Sequence, residues 1–345
     1  MTLLSALTGD EEIAGLLSDD AQLAAMVRFE AALAEASAEV GLISSEAAAA
    51  IAVAAKGFEP DRADLEQGIR RDGVVVSALV KQMRSRLPEA HRAALHRGAT
   101  SQDVIDTALM LQLGKVIDVL ERRLSALQLR LDHLREQHGA LPLMAHTRMQ
   151  AALPMQWADK FRTWGEPLLR YHSALAAARR SLLVVQLGGP VGDRNSFEGK
   201  GDAVARALAG RLDLGLASPW HSTRDPIVGF GALLALISGS LGKLGADVGL
   251  LAQSELGVVR LEGGGGSSAM AHKNNPVAAE VLVTLARFNA GLSGTLGQAM
   301  VHENERSGAA WTLEWLVLPQ MAVTAGASLR LGLQLLDQLR FGPGE

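Results

Sequence analysis

The chain has 345 residues, of which 48% are hydrophobic and only 4% are aromatic. Its formal net charge of −4 gives no electrostatic reason to expect a nucleic-acid or membrane partner. The sequence contains no cysteine, which excludes disulfides, a thiolate nucleophile and cysteine-ligated zinc. No segment has the uninterrupted apolar length of a membrane span, and the N-terminal region is acidic rather than basic. These features predict a soluble, cytoplasmic protein.

The first 98 residues predict a series of short helices. Alanine and leucine supply most of the apolar content, which favours packed helices over sheets. Glycine, proline and capping serine or aspartate residues separate the apolar segments. The predicted helices cover about residues 19–40, 44–57, 61–69, 74–87 and 88–96.

The rest of the chain predicts much longer helices. From Ser101 to about His138, leucine-type residues recur in alternating steps of three and four, as in a bundle helix. No segment is a convincing strand. The other predicted helices cover about residues 153–183, 201–212, 225–261, 276–301 and 312–339.

These elements predict an all-α fold with two domains. Residues 1–98 would form a small helical N-terminal domain, and residues 99–345 a central bundle of five long helices. Long helices with apolar positions on more than one face would leave excess apolar surface in a monomer. The sequence therefore predicts a homo-oligomer.

One glycine-rich stretch suggests a site for an anion. Four glycines at residues 263–266 predict a mobile segment, because glycine restricts the backbone least. Polar residues follow, and Pro276 then suits the first turn of a helix. A flexible lid that leads into donors at a helix N-terminus predicts anion binding, with a simple polar linker as the alternative. The polar residues are Ser267, Ser268, Lys273, Asn274 and Asn275.

Two further polar clusters lie at predicted helix ends. The first covers residues 96–103, where Thr100 or Ser101 would cap the long helix. The second covers residues 145–150, between two helices. Taken singly, each cluster is as easily an ordinary cap or a polar connecting loop.

The combination of the three clusters is more specific. Thr-Ser-Gln-Asp before a long helix, a Thr-X-X-Gln loop and Gly-Ser-Ser-X-Met-X-X-Lys-X-Asn-Pro together resemble the fumarase/aspartase superfamily over about residues 15–340. Its members include argininosuccinate and adenylosuccinate lyases and the 3-carboxy-cis,cis-muconate cycloisomerases. The resemblance implies a homotetramer with a twenty-helix core, no cofactor and no metal, in which three subunits contribute to each active site.

The resemblance also implies roles for individual residues. Ser267 matches a loop serine implicated in proton transfer, and Glu280 matches a glutamate that partners a catalytic histidine. With Lys273 and His146 they are the expected catalytic residues, although His146 could equally have a supporting role. For Arg224 an internal salt bridge is an equal alternative to substrate binding. The expected substrate-binding residues are His96, Thr100, Ser101, Thr147, Arg148, Gln150, Arg224, Ser268, Met270, Asn275 and Arg306.

Departures from the lyase pattern favour the cycloisomerase branch. Arg148 stands where the lyases have a histidine after the threonine. Arginine cannot shuttle protons at neutral pH, but it can bind a carboxylate through two hydrogen bonds. The segments 219–225 and 303–315 also resemble cycloisomerase patterns, with Asn304 in place of the usual histidine. Ala271 likewise replaces the usual proline of the glycine-rich motif.

The resemblance thus implies cyclisation of 3-carboxy-cis,cis-muconate, a small polycarboxylate, in aromatic breakdown through protocatechuate and β-ketoadipate. Alternatives are the 3-sulfo analogue as substrate, a fumarate-releasing lyase of the adenylosuccinate or argininosuccinate type, and a non-catalytic, crystallin-like oligomer. Superfamily members normally continue into a third helical domain, whereas this sequence ends at Glu345. A C-terminally shortened form with a more open cleft is therefore expected.

Overall fold

The structure is a computed structural model that describes residues 3–263, 265–266, 270 and 273–341. The described helices are α1 (Ser5–Thr8), α2 (Glu11–Leu16), α3 (Asp19–Glu39), α4 (Ser45–Ala55), α5 (Arg62–Asp72), α6 (Val76–Ser85), α7 (Ser101–His138), α8 (Trp157–Leu182), α9 (Gly201–Leu212), α10 (Asp225–Leu251), α11 (Val277–Gly297) and α12 (Gly308–Gln338). Short 3₁₀ turns cover Glu89–Ala94, Asn195–Phe197 and Gln298–Met300. The described strands are β1 (Pro142–Thr147), β2 (Gln150–Gln156), β3 (Val259–Leu261), β4 (Gly265–Gly266), β5 (Asn274–Asn275) and β6 (Leu339–Phe341).

The longest described helix is α7, and its residues belong to both apolar cores described below. Its apolar seam is fully buried, with Leu113, Leu120 and Leu127 at 0% exposure. A capping box between Thr100 and Asp103 satisfies free backbone groups at its start. At 1.5 Å per residue, its 38 residues span about 57 Å, so the two ends of α7 are far apart.

The helices α8, α10, α11 and α12 pack with α7 into the predicted bundle of five long helices. Small residues let α10 and α11 approach closely: a β-carbon at Gly245 would lie 2.5 Å from the carbonyl oxygen of Ala279. The buried Asn289 of α11 donates to the carbonyl of Leu234 and to Ser238 on α10. The bundle therefore has a tightly packed core with a specific polar contact.

A second core lies among the N-terminal helices. Phe29 and Leu33 of α3 pack with residues of α4 and α6, and α9 adds Val204 and Leu208. The first turns of α7 and Trp311 of α12 close this core against the bundle. Since α9 follows the long helices α7 and α8 in sequence, the chain returns to the N-terminal region. The domain boundary at residue 98 stays a prediction.

The strands were not anticipated. Residues 153–156 were expected to begin a helix but belong to β2 of a hairpin, so α8 starts at Trp157 rather than near 153. Most side chains of this hairpin are exposed, so it lacks the alternating apolar signal of a half-buried strand. Its turn also uses non-glycine residues at positive φ, Arg148 at 49° and Met149 at 65°.

A second difference concerns α10, which ends at Leu251 rather than near 261. Backbone pairing with β6 holds Val259–Leu261 as a strand. This partner lies almost eighty residues away in the chain, and local sequence carries no sign of it.

Two helices, α10 and α12, are long and apolar enough to cross a membrane by length and composition. This corrects the expectation that no segment reaches such a length. More than half of each apolar window is buried within the protein, 56% for α10 and 67% for α12. Both helices therefore fit the core of a soluble bundle, where apolar residues face other helices.

Candidate functional site

The start of α7 is organised by one buried carboxylate. Asp103 accepts hydrogen bonds from the backbone amides of Thr100 (3.0 Å), Gly188 (2.8 Å) and Gly189 (2.9 Å). Nε2 of His221 lies 2.9 Å from the same carboxylate. Asp103 thus ties the first turn of α7 to the loop after α8 and to the segment before α10.

Thr100 and Ser101 are half-buried at this end, where the helix dipole favours an anion. Exposed Arg306 lies beside them, since its Nε donates to Oε1 of Gln102 at 2.8 Å. The amide of Gln102 in turn donates to the carbonyl of His221. The structure therefore brings together three of the predicted substrate-binding residues.

His96 lies at the same end and pairs with a carboxylate that the sequence did not reveal. Its Nδ1 is 2.6 Å from Oε1 of Glu30, a residue of α3 with no exposed surface. Burial lowers the pKa of His96, but the charge and hydrogen bond of Glu30 and the more distant Asp103 outweigh it. The net effect raises the pKa of His96 above its usual value.

Arg224 lies in the internal salt bridge that was the alternative to substrate binding. Its partners are Asp106 (2.7 Å) and Glu314 (2.6 Å) rather than the neighbouring Asp225, and none of the three side chains is exposed. Trp220 stacks on the guanidinium, with 4.7 Å from its central carbon to the ring centroid. Burial opposes the charge, but the two carboxylates prevail and raise the pKa of Arg224. In this arrangement the guanidinium of Arg224 is occupied by two buried carboxylates and is not exposed to a ligand.

The second predicted cluster lies on the exposed hairpin. Thr147 and Gln150 pair next to the turn, and Arg148 is one of the two turn residues. Nδ1 of the exposed His146 lies 3.1 Å from the carbonyl of Met144 in its own strand. All four predicted residues of this cluster, including His146, face solvent, so they are accessible to a ligand or to another chain.

The third predicted cluster is only partly described. Ser267 and Ser268 lie outside the described residues. Lys273 is exposed, and its backbone amide donates to the carbonyl of Met270 at 3.0 Å. Asn275 is half-buried and pairs with Gly265 in the short β4–β5 ladder. Glu280 is exposed in the first turn of α11.

The three clusters do not converge within one chain. His96, Thr100, Ser101 and Arg306 lie at the start of α7, and the hairpin follows the other end of this helix, which is about 57 Å long. The β3–β6 ladder that precedes the glycine-rich stretch is also at the far end, because Phe341 stacks on His138 at 4.4 Å. Among the described residues, no group of three or more histidine, aspartate or glutamate side chains is arranged to hold a metal ion.

Comparison with known proteins gives consistent relatives. A family model described as Lyase matches residues 11–289. The chain is 39% identical over 332 residues to a 3-carboxy-cis,cis-muconate cycloisomerase from Pseudomonas aeruginosa, covering 94% of this chain and 72% of the relative. It is 35% identical to a nitrosuccinate lyase from Streptomyces davaonensis, covering 98% of this chain and 74% of the relative.

Comparison with solved structures finds proteins of the same kind as these relatives. The crystal structure of a 3-carboxy-cis,cis-muconate lactonizing enzyme from Pseudomonas putida matches with a TM-score of 0.93 and 36% identity. The match covers 99% of this chain and 77% of that one. These similarities confirm the resemblance and the all-α fold that the sequence predicted.

Proposed function

Since this chain belongs to the lyase family, we propose that it is a cofactor-independent cycloisomerase that converts 3-carboxy-cis,cis-muconate into a carboxymuconolactone. Relatives named for this activity match the chain over most of its length. Within the chain, the observation that supports it most is Arg148, an exposed arginine at the position of the lyase histidine. A permanent cation there suits an additional carboxylate better than it suits proton transfer.

The proposed reaction is an intramolecular addition. One substrate carboxylate attacks a conjugated double bond of the same molecule, negative charge moves onto another carboxylate, and a carbon is then protonated. Because the substrate has three carboxylates, the site needs several cations and donors, which Arg148, Lys273, Arg306 and the start of α7 supply. Holding the attacking carboxylate beside the double bond provides much of the acceleration.

The remaining predicted residues have roles that stay proposals. Lys273 would stabilise the developing negative charge, and Ser267 is a candidate for carrying a proton. Glu280 and His146 would assist proton transfer or position its carrier. The residues proposed to hold the substrate are His96, Thr100, Ser101, Thr147, Gln150, Ser268, Met270 and Asn275.

A shared active site in a homotetramer would unite the three clusters. In one chain the first and second clusters belong to opposite ends of α7, which is about 57 Å long, far longer than any small polycarboxylate. Large apolar side chains on three bundle helices are also exposed in the single chain: Leu169 of α8 (55%), Leu236 of α10 (58%) and Phe288 of α11 (48%). Packing of bundles against each other would cover them. The assembly would act in the cytoplasm, in the breakdown of aromatic compounds through protocatechuate.

A substrate panel tests this function. Purified protein is offered 3-carboxymuconate, its 3-sulfo analogue, adenylosuccinate, argininosuccinate and nitrosuccinate, and ultraviolet absorbance is followed. Loss of the diene absorbance with 3-carboxymuconate, without fumarate formation from any of the three succinates, is the expected result. Preference for the sulfo analogue would favour that alternative, and fumarate formation would overturn the proposal.

The Arg148→His variant tests the residue on which the proposal depends. We expect kcat/KM for 3-carboxymuconate to fall by about 10²-fold, the usual loss for one charge-stabilising donor. Arg71→His is the matched control, because Arg71 is exposed and bonds only its neighbour Asp72 among the described residues. Unchanged activity in Arg148→His would show that Arg148 does not bind a substrate carboxylate.

A further inference from the structure

Glu30 is unusual among the carboxylates of this chain. It lies in the middle of α3, has no exposed surface and belongs to a helix face that carries Met26, Phe29 and Leu33 into an apolar core. One carboxylate oxygen lies 2.6 Å from Nδ1 of His96, and the other has no hydrogen-bond partner among the described residues. A half-satisfied buried carboxylate carries a desolvation cost that one hydrogen bond offsets only in part.

His96 is held rigidly against this carboxylate. Its backbone adopts a left-handed conformation, with φ at 62°, which is uncommon for a residue other than glycine. Arg84 of α6 fixes the preceding carbonyl of Leu95 at 3.0 Å, and Ser196 fixes the carbonyl of Gly98 at 2.6 Å. These contacts fix the backbone on both sides of His96, and backbone strain of this kind is typical of functional positions.

The pairing determines which proton His96 can give. Because Nδ1 faces the carboxylate, Nδ1 keeps a proton, and Nε2 on the other side of the ring has no hydrogen-bond partner among the described residues. The charged groups that act on His96 are Glu30 and Asp103, which favour protonation, and Arg84, which opposes it. Their sum, after the cost of burial, favours the imidazolium and raises the pKa of His96.

His221 and His302 face other buried carboxylates at this end of the bundle, and both are less accessible than His96. The ring of His221 is 4% exposed and its Nε2 is bound to Asp103. The ring of His302 is fully buried beside Glu314. The ring of His96 is 17% exposed and lies four residues before the cap of α7. Of these three, His96 is best placed to reach a substrate bound at Ser101.

We propose that Glu30 is a positioning residue that keeps His96 in its imidazolium form, and that Nε2 of His96 delivers the proton to carbon when the lactone closes. This inference rests on the proposed cycloisomerase activity and assigns delivery of the proton to His96 rather than to Ser267. In the step, a carboxylate oxygen forms the new C–O bond while the double-bond electrons move onto the adjacent carbon and its carboxylate. That carbon then takes the Nε2 proton, so the trianionic substrate becomes a dianionic lactone. Neutral His96 recovers its proton from solvent.

The pH dependence of kcat/KM tests the role of Glu30. In Glu30→Gln the alkaline limb should move to lower pH by at least one unit, and kcat at pH 8 should fall about 10- to 100-fold with KM nearly unchanged. Glu30→Asp, which keeps the charge, should restore part of the shift. The matched control is Glu35→Gln on the same helix, because Glu35 is partly exposed and pairs with Arg211. It should keep the profile of the unaltered protein.

A structural role for Glu30 predicts a different result. The variant would then lose thermal stability while its alkaline limb stayed in place, and this would overturn the proposal. His96→Gln should lose 10²- to 10⁴-fold in kcat and should lack the limb altogether. A His96→Gln variant with normal kcat would equally overturn it.

A second measurement applies even if Glu30→Gln fails to fold. Histidine-labelled protein is titrated by nuclear magnetic resonance, and the His96 signal is assigned by its loss in His96→Gln. Titration above the ordinary histidine range of about 6.5 is expected, and titration at or below it would overturn the Glu30 role. Absence of turnover of 3-carboxymuconate by the unaltered protein would instead refute the proposed function and, with it, the proton-delivery step.

Discussion

Replacing Arg224 by methionine should strongly destabilise the protein. The guanidinium makes four hydrogen bonds at 2.6–3.1 Å, two to Asp106 and two to Glu314, and none of these side chains is exposed. The three residues lie at the starts of α7, α10 and α12. Arg224 therefore joins three bundle helices at the end that carries the first polar cluster.

The magnitude follows from what the substitution leaves behind. Removing one partner of a buried ion pair costs about 3–5 kcal/mol, because the other charge stays buried without compensation. Here two carboxylates lose the same cation, and Trp311 donates its indole N–H to only one of them, Asp106. We expect a loss of about 5 kcal/mol.

Denaturant unfolding at one fixed protein concentration measures this loss. The triple variant Arg224→Met, Asp106→Asn, Glu314→Gln removes all three charges and should recover much of the stability. Arg71→Met is the control and should change stability by less than about 1 kcal/mol, as for other exposed pairs. A loss below about 1 kcal/mol for Arg224→Met would refute the structural role. A raised KM with intact stability would instead support substrate binding by Arg224.

Two further predictions concern the same end of α7. Asp103→Asn should cost about 2–4 kcal/mol in denaturant unfolding, since an amide cannot accept all the donors that Asp103 now satisfies, and an unchanged midpoint would contradict this. The pair of His96 and Glu30 should stabilise the fold most at low pH. Because folding raises the pKa of His96, its contribution is complete below the unfolded value of about 6.5 and is lost as pH rises through the folded value. The difference in unfolding free energy between the unaltered protein and Glu30→Gln should therefore be larger at pH 6 than at pH 9.

Local sequence was sufficient to predict that the long helices exist. The start and end of α7 were predicted at Ser101 and His138, because an apolar seam, a capping threonine and a terminal glycine are all local signals. Its seam residues are buried in the structure, as their spacing predicted. Pro167 and Pro319 lie inside α8 and α12 without ending them, which shows that bundle packing outweighs a single missing hydrogen bond.

The sequence analysis missed two elements, a strand with a distant partner and a hairpin. The strand at Val259–Leu261 exists because Leu339–Phe341 pairs with it. The hairpin before α8 has neither a glycine turn nor a buried face, so neither of the usual hairpin signals was present. The first failure reflects a tertiary pairing that a sequence window does not contain, and the second reflects the lack of a local signal.

The candidate site residues also divide into those that local motifs identified and those that the sequence analysis missed. Thr100, Ser101 and Arg306 were found from motifs, and the structure brings them together. Glu30 was missed, because a single glutamate in a helix normally faces solvent. A clearer signal was available in α7, where Asp103 and Asp106 lie one turn apart. Both are fully buried, and each binds a basic side chain from another element.

The length of α7 also constrains how the site can be completed. The continuous helix α7 has 38 residues and keeps its two ends about 57 Å apart. No loop movement in one chain can therefore bring Arg148 to His96. If sites are shared between copies, a His96→Gln variant and an Arg148→His variant, each nearly inactive, should regain activity when they are unfolded and refolded together. Random mixing would leave about a quarter of shared sites with both residues intact. We expect activity to recover to near that fraction, compared with the same variants refolded separately. No recovery in oligomers shown to contain both variants would refute a site shared between His96 and Arg148.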